Sequence, residues 1–329
     1  MDTPRKKNIV IVARTRKPPS PPTENSVDNE LPIQSTVSDG KAKDWEKLPK
    51  QDEKAAGMLK DSPLPSDLDW IDGRLVQYYE EMGVAGSTET AQVHPFHFTN
   101  ALAELAKEKG VNIRLHAKVN KINSTKTDGV KSVEYEDRET GETFKIDGVT
   151  DVVVAAGPWT GALLPESKVE GLRAHSVVFE ADVSPYAVFT EIQLPTNYVP
   201  GHRAGKRQKR RHKGNVDPEI YARPFGEVYA CGETDSTTPL PSTADEVETD
   251  PSQCDDIIAY ISTISPQLAS APIKARQACY LPRHIRNEEQ TDPLNGPGTG
   301  HLMARMILGG KIEEDVKRLS LSQFEKTGS

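Results

Sequence analysis

The sequence contains few cysteines, which argues against a disulfide-rich or zinc-binding protein. It also contains few apolar residues, which argues against a chain that is packed throughout. Its 329 residues include three cysteines, Cys231, Cys254 and Cys279, which form no CxxC or metal-binding spacing. An odd number of unclustered thiols predicts neither a disulfide framework nor a zinc site, and it suits a reducing compartment. The apolar fraction of 35% is low for a compact protein, so we expect part of the chain to remain unpacked.

Long apolar runs are also missing. No stretch approaches the ~18–20 apolar residues of a membrane span, and residues 1–12 lack the apolar region of a signal peptide. The 41 basic and 49 acidic side chains give a net charge of −8, which is typical of a cytosolic protein and says little about partners. We therefore expect a cytoplasmic chain without a membrane span.

A third scarcity is glycine after the first predicted strand. Residues 8–12, NIVIV, have the apolar β-branched pattern of a short buried strand. In nucleotide-binding α/β proteins such a strand leads into a glycine-rich turn and a helix. Here it leads into Arg14, Arg16, Lys17 and four prolines. Residues 13–43 show neither a helical nor a strand period, and their composition predicts a disordered segment.

The remaining patterns predict a mixed α/β chain. The first half contains predicted helices at 70–83, with Asp72 as N-cap, and at 99–109, then a strand at 111–119, a hairpin at 130–146 and a strand at 151–155 covered on both faces. The second half is richer in strands. Its clearest elements are a hairpin at 219–232, a helix capped by Ser252, and a glycine loop followed by a short helix at 296–310.

Two small-residue stretches could bind a cofactor, although each also has a purely structural explanation. Ala155, Ala156 and Gly157 would let a large ligand lie against the backbone at the carboxyl end of a strand, where open α/β sheets bind ligands. Any parallel sheet can contain such a turn. The glycines of 295–300, NGPGTG, would leave free N–H groups at a helix start, which favours an anion or a ring carbonyl. A plain tight turn is the alternative.

Four stretches in this order resemble the D-amino-acid-oxidase superfamily of FAD-dependent oxidoreductases, in particular its uncharacterised fungal branch. They are AQVHPFHFTNALAELAKEKGVNIRLHAKVNKI, DVVVAAGPWTGALLP, PEIYARPFGEVYACGETD and NGPGTGHLM. The resemblance covers the chain from Asp44 to its end together with the strand at 8–12. It implies an α/β fold in which an FAD/NAD(P)-binding Rossmann-like domain joins an antiparallel β-rich substrate domain, here incomplete.

The resemblance also implies a domain order. The first strand of the FAD-binding domain would lie at 1–12, the disordered segment at 13–43, the main part of the FAD-binding domain at 44–170, the antiparallel substrate domain at 171–285, and the C-terminal return to the FAD-binding domain at 286–329.

For the cofactor, FAD, the resemblance implies contacts from Val119, Ala155, Ala156, Gly157, Trp159, Gly296, Gly298, Thr299 and Gly300. The first would contact the adenine side through its backbone, the next four would line the dinucleotide, and the last four would lie by the pyrimidine edge of the flavin.

For the substrate, the resemblance implies Tyr221, Arg223 and Arg283 as candidates, because an arginine fork suits a carboxylate. Solvent-facing strand residues are the alternative for each. No catalytic residue is assigned, because the cofactor carries out the difficult step.

The expected activity is oxidation of a C–N bond in an amine or amino-acid-like substrate. The chain departs from the family pattern after Val12, where the glycine loop that holds the FAD pyrophosphate is missing, and again in the shortened stretch 280–300. Skipped coding segments would explain both gaps. We therefore expect weak FAD binding in the chain as given. The alternative is a catalytically impaired flavoprotein remnant or a truncated gene product that acts, if at all, by binding.

Two further features have competing explanations. Residues 202–213, HRAGKRQKRRHK, contain seven Lys and Arg residues and no acid. They could form a nuclear-localisation or nucleic-acid patch, or a solvated insertion loop near the acid-rich stretch 217–256. The loop is the favoured explanation, so a nucleic-acid partner is not expected. His94 and His97 have a spacing that a metal could use, but no third ligand is evident and no metal is expected.

Overall fold

The computed structural model describes residues 7–13, 64–78, 93–125, 129–286, 289–291 and 296–309. These residues belong to two compact units. The first unit comprises 1–14, 114–172 and 281–329, and the second comprises 15–113 and 173–280. Apart from Ala13, the predicted disordered segment 13–43 lies outside the described residues, and the predicted domain bounds stay a prediction.

The elements, numbered along the chain, mix helices and strands. The strands are β1 (Ile9–Ala13), β2 (Ala117–Thr125), β3 (Gly129–Asp137), β4 (Thr143–Asp147), β5 (Asp151–Ala155), β6 (Val169–Glu180), β7 (Ala187–Phe189), β8 (Glu219–Arg223), β9 (Glu227–Asp235), β10 (Ile273–Arg286) and β11 (Glu289–Thr291). The α-helices are α1 (Pro95–Glu108), α2 (Thr160–Leu163), α3 (Gly201–Ala204), α4 (Pro251–Ser262), α5 (Pro266–Ser270) and α6 (Gly296–Ile307).

The strands form three sheets. β1 and β5 pair in parallel, with Val10 opposite Val152. β2, β3 and β4 form an antiparallel sheet, and the third sheet has the order β11-β10-β6-β9-β8-β7. Parallel and antiparallel sheets with intervening helices confirm the predicted α/β class. Among the described residues we find no helix with the length and apolar content of a membrane-spanning segment.

The core of the second unit lies between α4 and one face of the antiparallel sheet. Val177, Phe179, Ile220 and Val228 point from the sheet towards this core, and Ile261 of α4 faces them. Each of these side chains is fully buried. At about 1.5–3 kcal/mol for each large apolar side chain removed from water, this contact is a main source of stability for the unit.

The two hairpins are confirmed. β3 and β4 pair as Tyr135 with Phe144, and β8 and β9 pair as Tyr221 with Tyr229. The turn of the second hairpin has positive φ angles at Phe225 and Gly226. Both hairpins arise from alternating strands joined by a short glycine-containing turn, which is a local signal.

The helix predicted at 70–83 is wrong for its described part, which contains a single 3-10 turn, Gly73–Leu75. Asp72 does cap this turn, accepting a hydrogen bond from the Arg74 amide. The turn ends at Val76, whose φ of −80° and ψ of 116° are extended rather than helical. Before the turn, the Asp72 amide donates to the Ile264 carbonyl at 2.8 Å, and the buried Trp70 carbonyl accepts from the Ser265 hydroxyl at 2.5 Å, so the entry into the turn is fixed from outside. Residues 79–83 lie outside the described residues.

Other element boundaries also differ from prediction. α1 begins four residues early because Pro95 occupies its first position after His94. The strand predicted at 111–119 begins only at Ala117, since His116 adopts a φ of +56°, and the apolar alternation before it is exposed. Asp250, not Ser252, caps α4.

Two predicted environments are also corrected. β5 is half-buried rather than covered on both faces, and within the described ranges it pairs with β1 alone. No strand of the described ranges is hydrogen-bonded to the other edge of β5. The glycines of 296–300 lie inside the first turns of α6 rather than in a loop before it.

Candidate functional site

In the first unit, the carboxyl end of β5 opens into a turn of small residues. Ala156 is buried, and Gly157 has a φ of +55°, a conformation that side-chain-bearing residues rarely adopt. A Cβ placed on Gly157 would meet no atom within 4 Å, so its backbone borders open space. The Trp159 amide closes the turn on the Ala156 carbonyl at 3.1 Å. Within the predicted residues 155–159, the backbone at Gly157 is therefore the part that faces open space at the end of a parallel strand.

The short helix α2 brings a further predicted residue near this turn. α2 follows the turn directly and contacts both β5 and β2, the strand that carries Val119. Val119 is half-buried and pairs with Tyr135 beside an irregularity in the ladder. The remaining cofactor candidates, Gly296, Gly298, Thr299 and Gly300, lie in the first turns of α6 in the same unit. The first N–H groups of a helix have no intrahelical partner, which suits a polar ligand.

A substitution at Gly161 tests how closely α2 packs against the backbone of Val169. A Cβ at residue 161 would stand 2.1 Å from the Val169 carbonyl oxygen, a backbone atom that cannot rotate away. We expect Gly161→Ala to lower the free energy of unfolding by about 3 kcal/mol or more, and the melting temperature by about 6–12 °C. Circular dichroism during heating would measure both. Gly214→Ala is the matched control because its Cβ meets nothing within 4 Å. Equal melting temperatures for the two variants would contradict this packing.

The first unit fits a dinucleotide only in part. The turn after β5 offers open backbone to a large ligand. The segment after β1 does not fit a pyrophosphate, because no glycine occurs between Ala13 and Asp39. In the strand-turn-helix of dinucleotide-binding sheets, glycines let the backbone approach the pyrophosphate closely. We therefore derive no reaction step through a bound flavin.

In the second unit, the antiparallel sheet has a polar face opposite its core. Along β8, Ile220 and Ala222 are buried in the core, whereas Glu219, Tyr221 and Arg223 alternate with them and are half-buried. Tyr229 and Cys231 of β9 lie on this polar face too, because Tyr229 is directly opposite Tyr221 and Cys231 is directly opposite Glu219. We call these five residues, with Glu227, the polar sheet face.

Arg223 is the most distinctive group on the polar sheet face. Its guanidinium carbon lies 4.2 Å from the centroid of the Tyr229 ring. Burial lowers the pKa of Arg223, although the guanidinium stays protonated. In the described part of the chain no carboxylate forms an ion pair with it. Glu227, its cross-strand neighbour, is instead engaged by Lys274 at 2.5 Å.

The start of α1 lies beside this arginine. His94, the N-cap residue of α1, places Nε2 3.7 Å from a Glu227 carboxylate oxygen. Burial lowers the pKa of His94, and the positive charge of Arg223 lowers it further, so the imidazole is neutral near pH 7. The ring of His97 lies next to that of His94, with centroids 4.6 Å apart and the two planes tilted by 54°. No group of three or more metal-ligating side chains occurs among the described residues.

Tyr221 and Cys231 share one carboxylate. The Tyr221 hydroxyl donates to a Glu219 oxygen at 2.6 Å, and the Cys231 thiol lies 3.7 Å from the same oxygen. Burial and the Glu219 charge raise the pKa of Tyr221, and burial raises the pKa of Cys231 to about 12. Both groups therefore stay protonated at neutral pH, and Cys231 lacks the thiolate character of a nucleophile.

Of the three substrate candidates from the sequence, two lie together. Tyr221 and Arg223 are on the same face of β8, whereas Arg283 belongs to the first unit, where it donates to Glu170 at 3.2 Å. Sequence reasoning missed Glu219, Tyr229 and Cys231 as neighbours. Their positions follow from the two-residue period carried across the hairpin turn, a signal that was present in the sequence.

A parallel strand pair that ends in a small-residue turn, and an antiparallel β-rich unit with a polar face, are features of α/β proteins of the FAD/NAD(P)-binding class. Residues 36–309 match the family model DAO, FAD dependent oxidoreductase. The chain belongs to this family, whose cofactor is FAD, and this confirms the resemblance.

Two fungal relatives support the same family. The chain is 31% identical over 299 residues to "Putative oxidoreductase TDA3" of Saccharomyces cerevisiae, covering 76% of this chain and 53% of that protein. It is 28% identical over 279 residues to "Putative oxidoreductase C1F5.03c" of Schizosaccharomyces pombe, covering 76% of this chain and 67% of that protein. The chain thus spans about half the length of the first relative and two thirds of the second.

Two solved structures overlap with part of the chain. One is the glycerol-3-phosphate dehydrogenase from Bacillus halodurans complexed with FAD, at 18% identity and a TM-score of 0.39, covering 59% of this chain and 36% of that one. The other is a modified fructosyl peptide oxidase from Aspergillus nidulans, at 17% identity and a TM-score of 0.39, covering 64% and 53%. Each match covers only part of this chain and only part of the solved structure.

Proposed function

We propose that the protein is an FAD-dependent oxidoreductase that oxidises a C–N bond of an amine or amino-acid-like substrate, with Arg223 binding the substrate carboxylate. The observation that carries this proposal is a half-buried guanidinium without an ion-pair partner in the described ranges. A cation held partly out of water gains more from an added anion than an exposed cation does. The planar fork of arginine makes two parallel charge-assisted hydrogen bonds to a carboxylate.

The neighbouring groups would orient the substrate. The Tyr229 ring lies 4.2 Å from the guanidinium carbon, and Glu227, which attracts Arg223 electrostatically, is hydrogen-bonded to Lys274. His94, neutral near pH 7, adds no second positive charge to this corner. FAD, when bound, supplies the redox chemistry of the family, and the residues of this face only bind and orient.

The second candidate function is a flavin-poor protein that acts by binding. The absence of glycine between Ala13 and Asp39 favours it, because the pyrophosphate would lose its backbone donors. The polar sheet face does not depend on that segment for its hydrogen bonds among described residues. Carboxylate binding by Arg223 is therefore expected under both candidates, whereas flavin reduction is expected only under the first.

A panel of small molecules separates these possibilities. The purified chain, with FAD in large excess, would be incubated with D-, L- and N-methyl amino acids, each paired with its carboxamide. We expect at least one carboxylate form to bleach the flavin absorbance and to raise the melting temperature, and its carboxamide to need about 100-fold higher concentration. Melting shifts without bleaching would favour the binding protein. Equal responses to acid and amide would overturn the role of Arg223.

A further inference from the structure

The basic segment, residues 201–214, is docked onto the second unit by its inner side. Arg203 donates to Asp256 at 2.6 Å, Arg211 lies 3.4 Å from Asp235, and the His212 imidazole lies 2.9 Å from Glu233. The carboxylates of Asp256 and Asp235 are 1% exposed. The segment is therefore tied to its own acid-rich stretch, as one of the sequence alternatives expected, and does not hang freely in solvent.

The backbone of the segment turns sharply between these anchors. The Gln208 amide donates to the Arg203 carbonyl at 2.9 Å, and Arg207 adopts a φ of +56°. At the far end, Arg210 donates to the Lys213 carbonyl at 2.9 Å. The basic segment therefore has a local turn near each end, and we call its exposed residues between and beside the anchors its outer side.

The outer side of the basic segment carries four cations. Lys206, Arg207, Lys209 and Lys213 are all exposed, and none forms an ion pair with a carboxylate in the described ranges. The nearby buried acids, Asp256 and Asp235, are already paired with Arg203 and Arg211, so they do not form ion pairs with these four cations. On a chain of net charge −8, this is a concentrated positive patch.

We propose that this outer side binds membrane surfaces that contain anionic lipids. Residues 201–214 contain no Phe, Tyr, Trp or large aliphatic side chain, so the patch offers charge and no apolar anchor. Attraction to an anionic lipid surface needs only charge, at about 1 kcal/mol for each Lys or Arg near it, which corresponds to about fivefold in affinity. Four cations therefore give about 500-fold. At 0.1 M salt the acids of the chain beyond ~10 Å are largely screened.

Nucleic acid fits the patch less well. Sequence-tolerant binding of single strands depends on aromatic side chains on which bases stack, and the two imidazoles of the segment, His202 and His212, lie against Asp256 and Glu233 instead. Reading a duplex groove takes a helix or a two-stranded ribbon, whereas the only helix here, α3, has four residues. A polyanion contact limited to four phosphates would be weak and strongly dependent on salt.

Vesicle sedimentation tests the proposal. The full chain would be mixed in 0.1 M salt with vesicles of phosphatidylcholine alone, or with 30% phosphatidylserine. We expect binding only to the anionic vesicles, and a loss of at least 100-fold in the variant with Lys206, Arg207, Lys209 and Lys213 each changed to Gln. The matched control changes Lys107, Lys109, Lys121 and Lys145 to Gln, which removes the same charge from other exposed positions and is expected to retain binding.

Three results would overturn the proposal. The first is equal binding to neutral vesicles, and the second is an equal loss in both variants, since that would mean a response to net charge alone. The third is tighter binding to a 20-nucleotide single strand or duplex than to anionic vesicles, lost in the same variant, which would assign the patch to nucleic acid. Because all four side chains are exposed, the variant should keep its melting temperature, and this measurement shows that any loss is not unfolding.

Discussion

Inserting a Gly-x-Gly-x-x-Gly turn and its helix after Val12 should raise the affinity of the chain for FAD by about a thousandfold or more. β1 and β5 already pair in parallel, so the strand that would deliver the turn is in place. The turn would add about three backbone hydrogen bonds to a charged pyrophosphate, each on the order of 1.5–3 kcal/mol. Together these amount to roughly 4.5–9 kcal/mol, and each 1.4 kcal/mol is tenfold.

The other contacts cannot replace this turn. The positive end of a helix contributes about 0.3–1 kcal/mol beyond its hydrogen bonds, so the first turn of α6 is too weak to compensate. The open backbone at Gly157 still offers contact to the dinucleotide, so weak residual binding is expected from the chain as given. Equilibrium dialysis with FAD would measure both affinities.

The control for this experiment is the same insertion with its glycines changed to valine. It keeps the length and the helix, but its side chains block close approach of the pyrophosphate. We expect this control to bind FAD no better than the chain as given. Purification of the chain as given with one FAD per molecule would contradict the prediction, and another segment would then have to hold the pyrophosphate.

The parts of the fold that the sequence predicted well depend on local signals. The hairpin of β8 and β9 is specified by alternation on both sides of a three-residue turn, so its register and its two faces follow from neighbouring residues. Tyr221 and Arg223, two residues apart on one strand, therefore share a face. The parallel pairing of β1 with β5 joins residues distant in the sequence, and no period within either strand identifies its partner.

The parts of the fold and of the candidate site that the sequence did not predict involve partners that are distant in the sequence. Residues 70–78 have a good helix signature, yet only Gly73–Leu75 form a turn, and the residues before that turn are fixed by hydrogen bonds to Ile264 and Ser265, nearly 200 residues away. His94 also lies beside Arg223 because of a distant partner, since it contacts Glu227. Arg283 pairs with Glu170 of β6, a partner that its place in the sequence does not indicate. Charge and spacing alone do not identify which partner a long side chain finds.

Changing Arg223 to Leu should weaken binding of a carboxylate substrate by about 10²–10⁴-fold. Two charge-assisted hydrogen bonds, each about 1.5–3 kcal/mol, would be lost together, which gives roughly 3–6 kcal/mol. Arg223→Lys keeps the charge but not the fork, so an intermediate loss is expected. Arg276→Gln is the matched control, because this exposed arginine of β10 is already paired with Asp255 at 2.9 Å. Melting-temperature titrations with the most effective acid of the amino-acid panel would measure each affinity. If the affinity did not depend on residue 223, or if Arg276→Gln caused an equal loss, Arg223 would not belong to the substrate site. Neither outcome would affect the predicted gain in FAD affinity from the inserted glycine turn.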